Sequence, residues 1–377
     1  MRDLIARLAR PVLRRLRRDD QGAVAVLVAV LVAGGVLLGM GALVIDVGEI
    51  YQNRAELQNG ADAGALAVAR TCVLSNCAPA VAVQYADLNA SKLTGGVAAV
   101  DLVCGSGILG PCPASTGAII DCPPPPSGSV GFVDVHTATL TSHGSTALPP
   151  VFARALLGNS HAAGNTVKAC AQAAWGGPAA ATVTALTVSA CEWDHATNGG
   201  SSYALPPPYP PNPLPGPSFD QVLQLHGSGA GGEGCDHGES GGVAPGNFGW
   251  TDDSGNCSLA ISGATYGGNT GTSVSHACQT VLANARASRT PIYVPVYTSV
   301  TGNGNNATYT LKGFAAFVVT GYNMPSFAAR DWLDPDNDNG CSRSAFCLTG
   351  YFTQGLIPSS GSLGGPDLGA VVIRLTG

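Results

Sequence analysis

The chain has 377 residues, a formal charge of −6, 45% apolar residues and only 11% charged ones. That composition can bury a core and excludes a wholly disordered chain, and the acidic balance gives nucleic acid no electrostatic footing. Seven of the 18 basic residues but only three of the 24 acidic ones fall within the first 20 positions, so the remainder carries a charge of about −10.

Arginines at 2, 7, 10, 14, 15, 17 and 18 make residues 1–22 a basic tail, expected to stay cytoplasmic. From Ala23 to Ile45 there is no charge, and Asp46 closes the run. At 1.5 Å per residue this stretch reaches roughly 35 Å, against a hydrocarbon core of about 30 Å. A transmembrane helix is therefore expected over 23–45, with everything beyond it outside the cytoplasm. A cleaved signal would have a shorter apolar region and an A-x-A-like site. Here Asp46-Val-Gly-Glu49 follows instead, so an uncleaved anchor is expected.

Helical periodicity continues past Asp46. Val47, Tyr51 and Ala55 form one stripe, with Leu57, Ala61, Ala65 and Val68 beside it, which predicts one helix from Ala23 to Arg70. A second short helix is expected over Pro79 to Ala90, with proline at its start. Strands are expected over Val97 to Val103 and Val130 to Leu140. In the latter, Val133, Val135, Thr137 and Thr139 face one side, and Asp134 and His136 the other. Between them, Cys122 and its four prolines read as a loop. Pro149 to Gly158 reads as a helix, Asn165 to Trp175 as a strand, and Gly176-Gly-Pro178 as a boundary.

Beyond it, Thr182 to Cys191 reads as a strand, and the eight prolines between Pro206 and Pro217 as a rigid connector. Residues 227–274 have few apolar anchors, so disulfides are expected to hold them. Ser275 to Ala287 has helical composition. Ile292 to Val300, Thr308 to Thr320 and Ala370 to Leu375 are the clearest late strands. All 12 cysteines follow the apolar run, six up to Cys170 and six from Cys191. An even count on an extracytoplasmic chain predicts a disulfide framework, whose pairing the sequence leaves open.

Asp46-Val-Gly, Tyr51 and Leu57-Gln-Asn-Gly-Ala-Asp62-Ala-Gly-Ala-Leu-Ala, with Gln21-Gly22 before the apolar run, resemble the signature of TadG-like Flp (tight adherence) pilus-assembly proteins. Val135 to Leu140, Pro149 to Gly158 and Lys168 to Ala174 are similar to the strand, helix and small-residue strand that close the family's module. The resemblance covers about residues 20–176, with Pro245 to Trp250 a fragment beyond it. It implies a bitopic envelope protein with a scaffolding or minor-pilin-like role. Gly22 is followed by Ala-Val-Ala-Val-Leu27 rather than the Glu-Tyr of prepilins, and the Asp-x-Ser-x-Ser metal triplet of some longer relatives is missing. Neither prepilin processing nor metal-dependent adhesion is therefore implied.

Gly35 and Gly39, and again Gly60 and Gly64, have the small-xxx-small spacing that lets helix backbones approach. Helix–helix self-association through Gly35 and Gly39 is the partner reading this spacing allows.

Several segments imitate active sites. Gly238-Glu-Ser240-Gly-Gly resembles a serine-protease nucleophile loop, yet none of His136, His143, His161, His195 or His226 has the setting of its base. Gly271 to His276 and Asp253 echo a subtilisin arrangement without a histidine between them. Asp334, Asp336 and Asp338 take the odd positions of a calcium loop, but Asn339 and Ala345 stand where an EF-hand needs glycine and glutamate. Cys235, His237 and Glu239 follow no recognised zinc spacing.

The expectation is thus a non-enzymatic α+β chain in four parts. These are a basic tail (1–22), a transmembrane helix (23–45), a membrane-proximal module (46–176) whose long pilin-like helix packs on a small antiparallel sheet, and a disulfide-rich, mainly β exterior domain (177–377). No catalytic, cofactor or metal residue is assigned. The expected partners are the bilayer and pilus-assembly proteins, with a surface-displayed adhesin or an extracellular serine hydrolase as the alternative readings.

Overall fold

The computed structural model describes residues 23–32, 35–90, 96–118, 120–141, 147–148, 165–209, 212–224, 235, 248–251, 255–269, 274–302, 306–325, 327–335, 341, 346–358 and 362–376. The helix read over Pro149 to Gly158 lies outside them, as do Ser240, His237 and Glu239.

Residues 23–32 are helical, and helix α1 (Val36–Leu74) follows. The single helix expected from Ala23 to Arg70 is interrupted at Gly35, whose φ of +71° is left-handed. Gly35 N–H donates to Val32 O, closing the first segment, and α1 then runs four residues beyond Arg70. Among the described residues no helix is long and apolar enough to cross a membrane. Helix α2 (Val81–Asn89) follows a turn in which Cys72 is bonded to Cys77.

Contacts divide the chain into two compact units. The first contains residues 1–60, 86–101 and 137–169. Its core joins Leu57 to Ala90, Ala98, Val167 and Ala169, and Thr137 Oγ1 donates to Leu57 O at 3.0 Å. A Cβ on Gly60 would lie 2.7 Å from Ala86 O and 3.2 Å from the Ala90 methyl, so only glycine fits there. Strands β3 (Ala147–Leu148) and β4 (Asn165–Thr166) form a short antiparallel ribbon in this unit.

The second unit holds residues 61–85, 102–136 and 170–377. In it, Gly64 repeats the close approach, with Ala82 O and Val135 Cγ1 at 3.3 and 3.4 Å from an added Cβ. The sheet beneath is built on β1 (Gly96–Gly105), β2 (Gly131–Thr141) and β5 (Lys168–Pro178). It is larger than the small antiparallel sheet expected. Strand β18 (Ala370–Leu375) pairs antiparallel with β5, β16 (Gly355–Leu356) adds in parallel to β18, and β17 (Leu363–Gly365) pairs with the end of β5. β5 runs through Gly176 and Gly177 without a break, because Pro366 O and Gly365 O lie 2.0 and 2.6 Å from where a Cβ on Gly177 would be. The glycine pair is therefore a crossing of backbones within a strand.

The remaining strands are β6 (Ala181–Thr184), β7 (Leu186–Ser189), β8 (Gln221–Gln224), β9 (Phe248–Thr251), β10 (Ser258–Ile261), β11 (Thr265–Asn269), β12 (Ile292–Thr301), β13 (Thr308–Met324), β14 (Phe327–Ala329) and β15 (Cys347–Thr353). Most of them form one sheet in the order β11-β9-β7-β12-β13-β15-β8. Because β11 also pairs with β13, five of these strands close into a ring. Tyr266, Tyr297 and Tyr309 pack against one another in one core, and Phe317 meets Phe352 edge to face in another.

Helix α3 (Ala190–Thr197) replaces the end of the strand read to Cys191. Ser189 caps it by accepting from Glu192 N–H, and Trp193 Nε1 donates to Leu368 O. Helix α4 (His276–Ser288) is capped likewise by Ser275. The long connector packs through Tyr209, whose hydroxyl meets Tyr351 Oη at 2.9 Å.

All 12 cysteines are paired: Cys72–Cys77, Cys104–Cys112, Cys122–Cys170, Cys191–Cys235, Cys257–Cys278 and Cys341–Cys347. No bond joins the first six cysteines to the last six. Replacing Gly60 by valine should lower stability by about 1–3 kcal/mol through overpacking, checked by urea titration of the two proteins. Gly48, with nothing near its added Cβ, is the control expected to tolerate alanine.

Candidate functional site

Two surfaces combine chemistry with position. The first is α1. Its large apolar residues are mostly exposed before Leu57 and mostly buried from it onward: Leu57, Ala61, Ala65, Val68 and Ala69 are fully buried, with Leu66 left exposed, whereas Met40, Leu43, Val44, Ile45, Val47, Ile50 and Tyr51 are exposed around a buried Ala42. Val44 and Tyr51 leave 70% and 71% of their surface uncovered. Soluble surfaces seldom leave so continuous an apolar stretch open. Gly39, Gly41 and Gly48 have nothing within 4 Å of an added Cβ, while Gly60 and Gly64 are filled by α2 of the same chain. The two small-xxx-small spacings thus differ, because the second is consumed by intrachain packing.

The second surface is the opposite face of the β2–β5 pair. Two-residue alternation turns Val133, Val135 and Thr137 toward α1 and puts Asp134 and His136 on the other side, beside Cys170 and Gln172 of β5. Gln172 Nε2 donates to Asp134 Oδ1 at 2.9 Å and to Pro123 O at 2.7 Å, tying the proline loop to the sheet. Its Oε1 accepts from Thr376 Oγ1 at 2.7 Å, just after β18. His136 Nε2 lies 3.4 Å from Cys170 Sγ. Burial raises the Asp134 carboxyl, opposed by the Gln172 hydrogen bond and the His136 charge.

Ligand atoms of Cys122, His136 and Cys170 lie within 4.8 Å of one another, as do those of Cys104, Asp134 and His136. The sulfurs here are in disulfides and offer no thiolate. The same reason removes the Cys235, His237 and Glu239 reading, since Cys235 is bonded to Cys191. In the calcium-like segment Asp334 N–H donates to Asp331 Oδ1, and Asp336 and Asp338 fall outside the described residues. Ser273 and Asp253 lie outside them too.

Two buried acidic positions in the second half went unread in the sequence. Thr320 Oγ1 lies 2.9 Å from Asp220 Oδ1, 3.0 Å from Asp331 Oδ2 and 2.9 Å from Thr349 Oγ1. Burial would raise the Asp331 carboxyl, but a hydrogen bond in which the Asp220 carboxyl holds the shared proton, with those from Thr349 and the Asp334 and Leu333 amides, outweighs it and holds Asp331 below its ordinary value. Asp331 and Thr349 also line a polar pocket bordered by Tyr322 and Cys341. Glu192 is different. Burial pushes it up to about 7, and its Oε1 has no hydrogen-bond partner among the described residues. The Ser189-x-x-Glu192 spacing was the signal for its helix, though not for its burial.

Residues 22–71 match the profile of the Flp pilus-assembly TadE/G-like family, the stretch that carries the Asp46-Val-Gly and Leu57 to Ala67 signature. The looser similarity over 135–176 lies outside the matched residues. No curated protein and no solved structure matches the chain.

The two acids predict opposite pH responses. With Glu192 raised from 4.5 to about 7, the folded state holds a proton that the unfolded chain releases. Stability should therefore fall as pH rises from 4.5 to 7. Glu192→Gln should remove that slope and exceed the parent by about 2 kcal/mol at pH 8. With Asp331 lowered, its contribution is present above about pH 4 and is lost as pH falls through its folded value. Asp331→Asn should cost about 2 kcal/mol at pH 7, a difference that shrinks in acid. Denaturant titrations across pH read both.

Proposed function

We propose that this chain is a non-enzymatic, single-pass component of a Flp/Tad-type pilus or of the envelope machinery associated with it, anchored at 23–45 and acting through protein–protein packing. Its N-terminus is cytoplasmic, and the module of residues 46–176 and the region of 177–377 stand outside. The observation that carries this reading is the coincidence of the TadE/G-like match with the helix whose apolar residues stay exposed through Tyr51. The uncharged run from Ala23 to Ile45, prefaced by seven arginines, supports the orientation. The disulfides and the charge of about −10 on the remainder suit an oxidising exterior.

Membrane fractionation of the full chain tests the anchor. The protein should stay in the pellet after carbonate washing and leave it when residues 1–45 are removed, and capture from detergent should recover pilus-assembly proteins. A full chain released by carbonate would reject the reading. Self-association, if it uses the open face at Gly39, should be lost in Gly39→Ile when membrane crosslinking is compared with the parent.

A further inference from the structure

We propose that the bilayer reaches past Asp46, and that α1 meets the phospholipid headgroup layer through Val47, Ile50 and Tyr51 while the chain itself covers the side that carries Asp46. This surface rests on the membrane-anchored reading above and adds to it where lipid contact ends.

The outer part of the anchor helix has two unlike sides. Ala42, Asp46, Asn53 and Leu57 follow one another at four, seven and four residues, which places them on one stripe, and all are buried. Asp46 keeps only 8% of its surface exposed. Val44, Val47 and Tyr51, at spacings of three and four, lie on the other side and stand open. Glu49 falls at the margin of the buried stripe and is half-buried. Asp46 closes the uncharged run in sequence, yet in the fold it is withdrawn from the open surface. The described residues between Ala23 and Tyr51 therefore present no exposed charge, although two carboxylates occur among them.

The width of the open side identifies what covers it. At about 100° per residue, the exposed positions from Met40 to Tyr51 sweep roughly 220° of the helix circumference. A second helix docks on a stripe of about 100° or on a narrower seam. It would leave about half of this arc in water. Lipid closes around a helix from every direction that protein does not occupy.

The length agrees. Counted at 1.5 Å per residue, positions 23–51 amount to roughly 43 Å, against about 40–45 Å for a bilayer with its headgroup layers, whereas 23–45 suffice for the hydrocarbon core alone. Tyr51 then stands at headgroup level, where a tyrosine ring buries its apolar body and keeps its hydroxyl wet. Polar residues resume directly after it, with Gln52 exposed and Arg54 and Glu56 half-buried.

The test places the photoreactive residue p-benzoylphenylalanine at position 30, 51 or 66 of the full chain in vesicles of phosphatidylethanolamine and phosphatidylglycerol. Val30, Tyr51 and Leu66 are all exposed, so their replacement disturbs no packing. Position 66 lies about 22 Å farther along the helix than position 51. After irradiation, mass spectrometry should find phospholipid adducts from positions 30 and 51 and none from 66. An adduct from 30 but not from 51 would overturn the proposal and leave the anchor standing. A crosslink from 51 to a second copy of the chain in place of lipid would overturn it in favour of helix packing. Lipid captured at 66 would overturn it too, because contact would not end at Tyr51. Loss of the adduct from both 30 and 51 would reject the anchor and this surface together.

Discussion

The two-residue periodicity of β2 and β5 is the constraint on which the rest of the module depends. A strand alternates its side chains between faces, so neighbours in sequence are sent to opposite environments. Val135 reaches Gly64 and Thr137 reaches the Leu57 carbonyl, while Asp134 and His136 meet Gln172 and Cys170. A one-residue slip would bring a carboxylate to an alanine-lined helix and expose valines to the proline loop. The helix can approach closely because its contact residues are small. Glycines 60 and 64 bring backbone to backbone, and a methyl at Gly60 already leaves no room.

Polar groups buried by this arrangement are handled in two ways. Asp134 has a single glutamine amide, which its burial outweighs, but Asp331 is surrounded by donors, two backbone amides and a threonine hydroxyl. Burying such a group then costs little. Glu192 takes the other route. It is exposed to desolvation without a compensating donor among the described residues, and its carboxyl shifts toward neutrality. The acid occupies the first turn of a helix, where the macrodipole favours negative charge, yet desolvation wins.

The element types were largely legible because they rest on local patterns. Strands at 131–141, 292–301, 308–324 and 370–375 follow β-branched and aromatic runs, and α4 begins one residue after a serine that caps it. Errors fell where a local signal was overridden or weak. Gly35 broke a periodicity that looked continuous. The Ser189-x-x-Glu192 box was outweighed by a valine and threonine run before it. Strands β9 to β11 lie in a glycine-rich stretch, where pairing partners rather than side-chain propensity hold them.

Sequence by itself determined the apolar run with its basic preface, the alanine-rich stripe of α1, the alternation of β2 and the presence of a disulfide framework. Each of these is written in residue type and spacing alone. Tertiary structure decided which cysteines pair, that β18 returns to β5 across some 200 residues, and that Asp220, Thr320 and Asp331 meet. Apart from the short Cys72–Cys77, Cys104–Cys112 and Cys341–Cys347 loops, these contacts join segments well apart in the chain, and nothing in either partner's neighbourhood specifies the other. Only the folded backbone brings them within bonding distance.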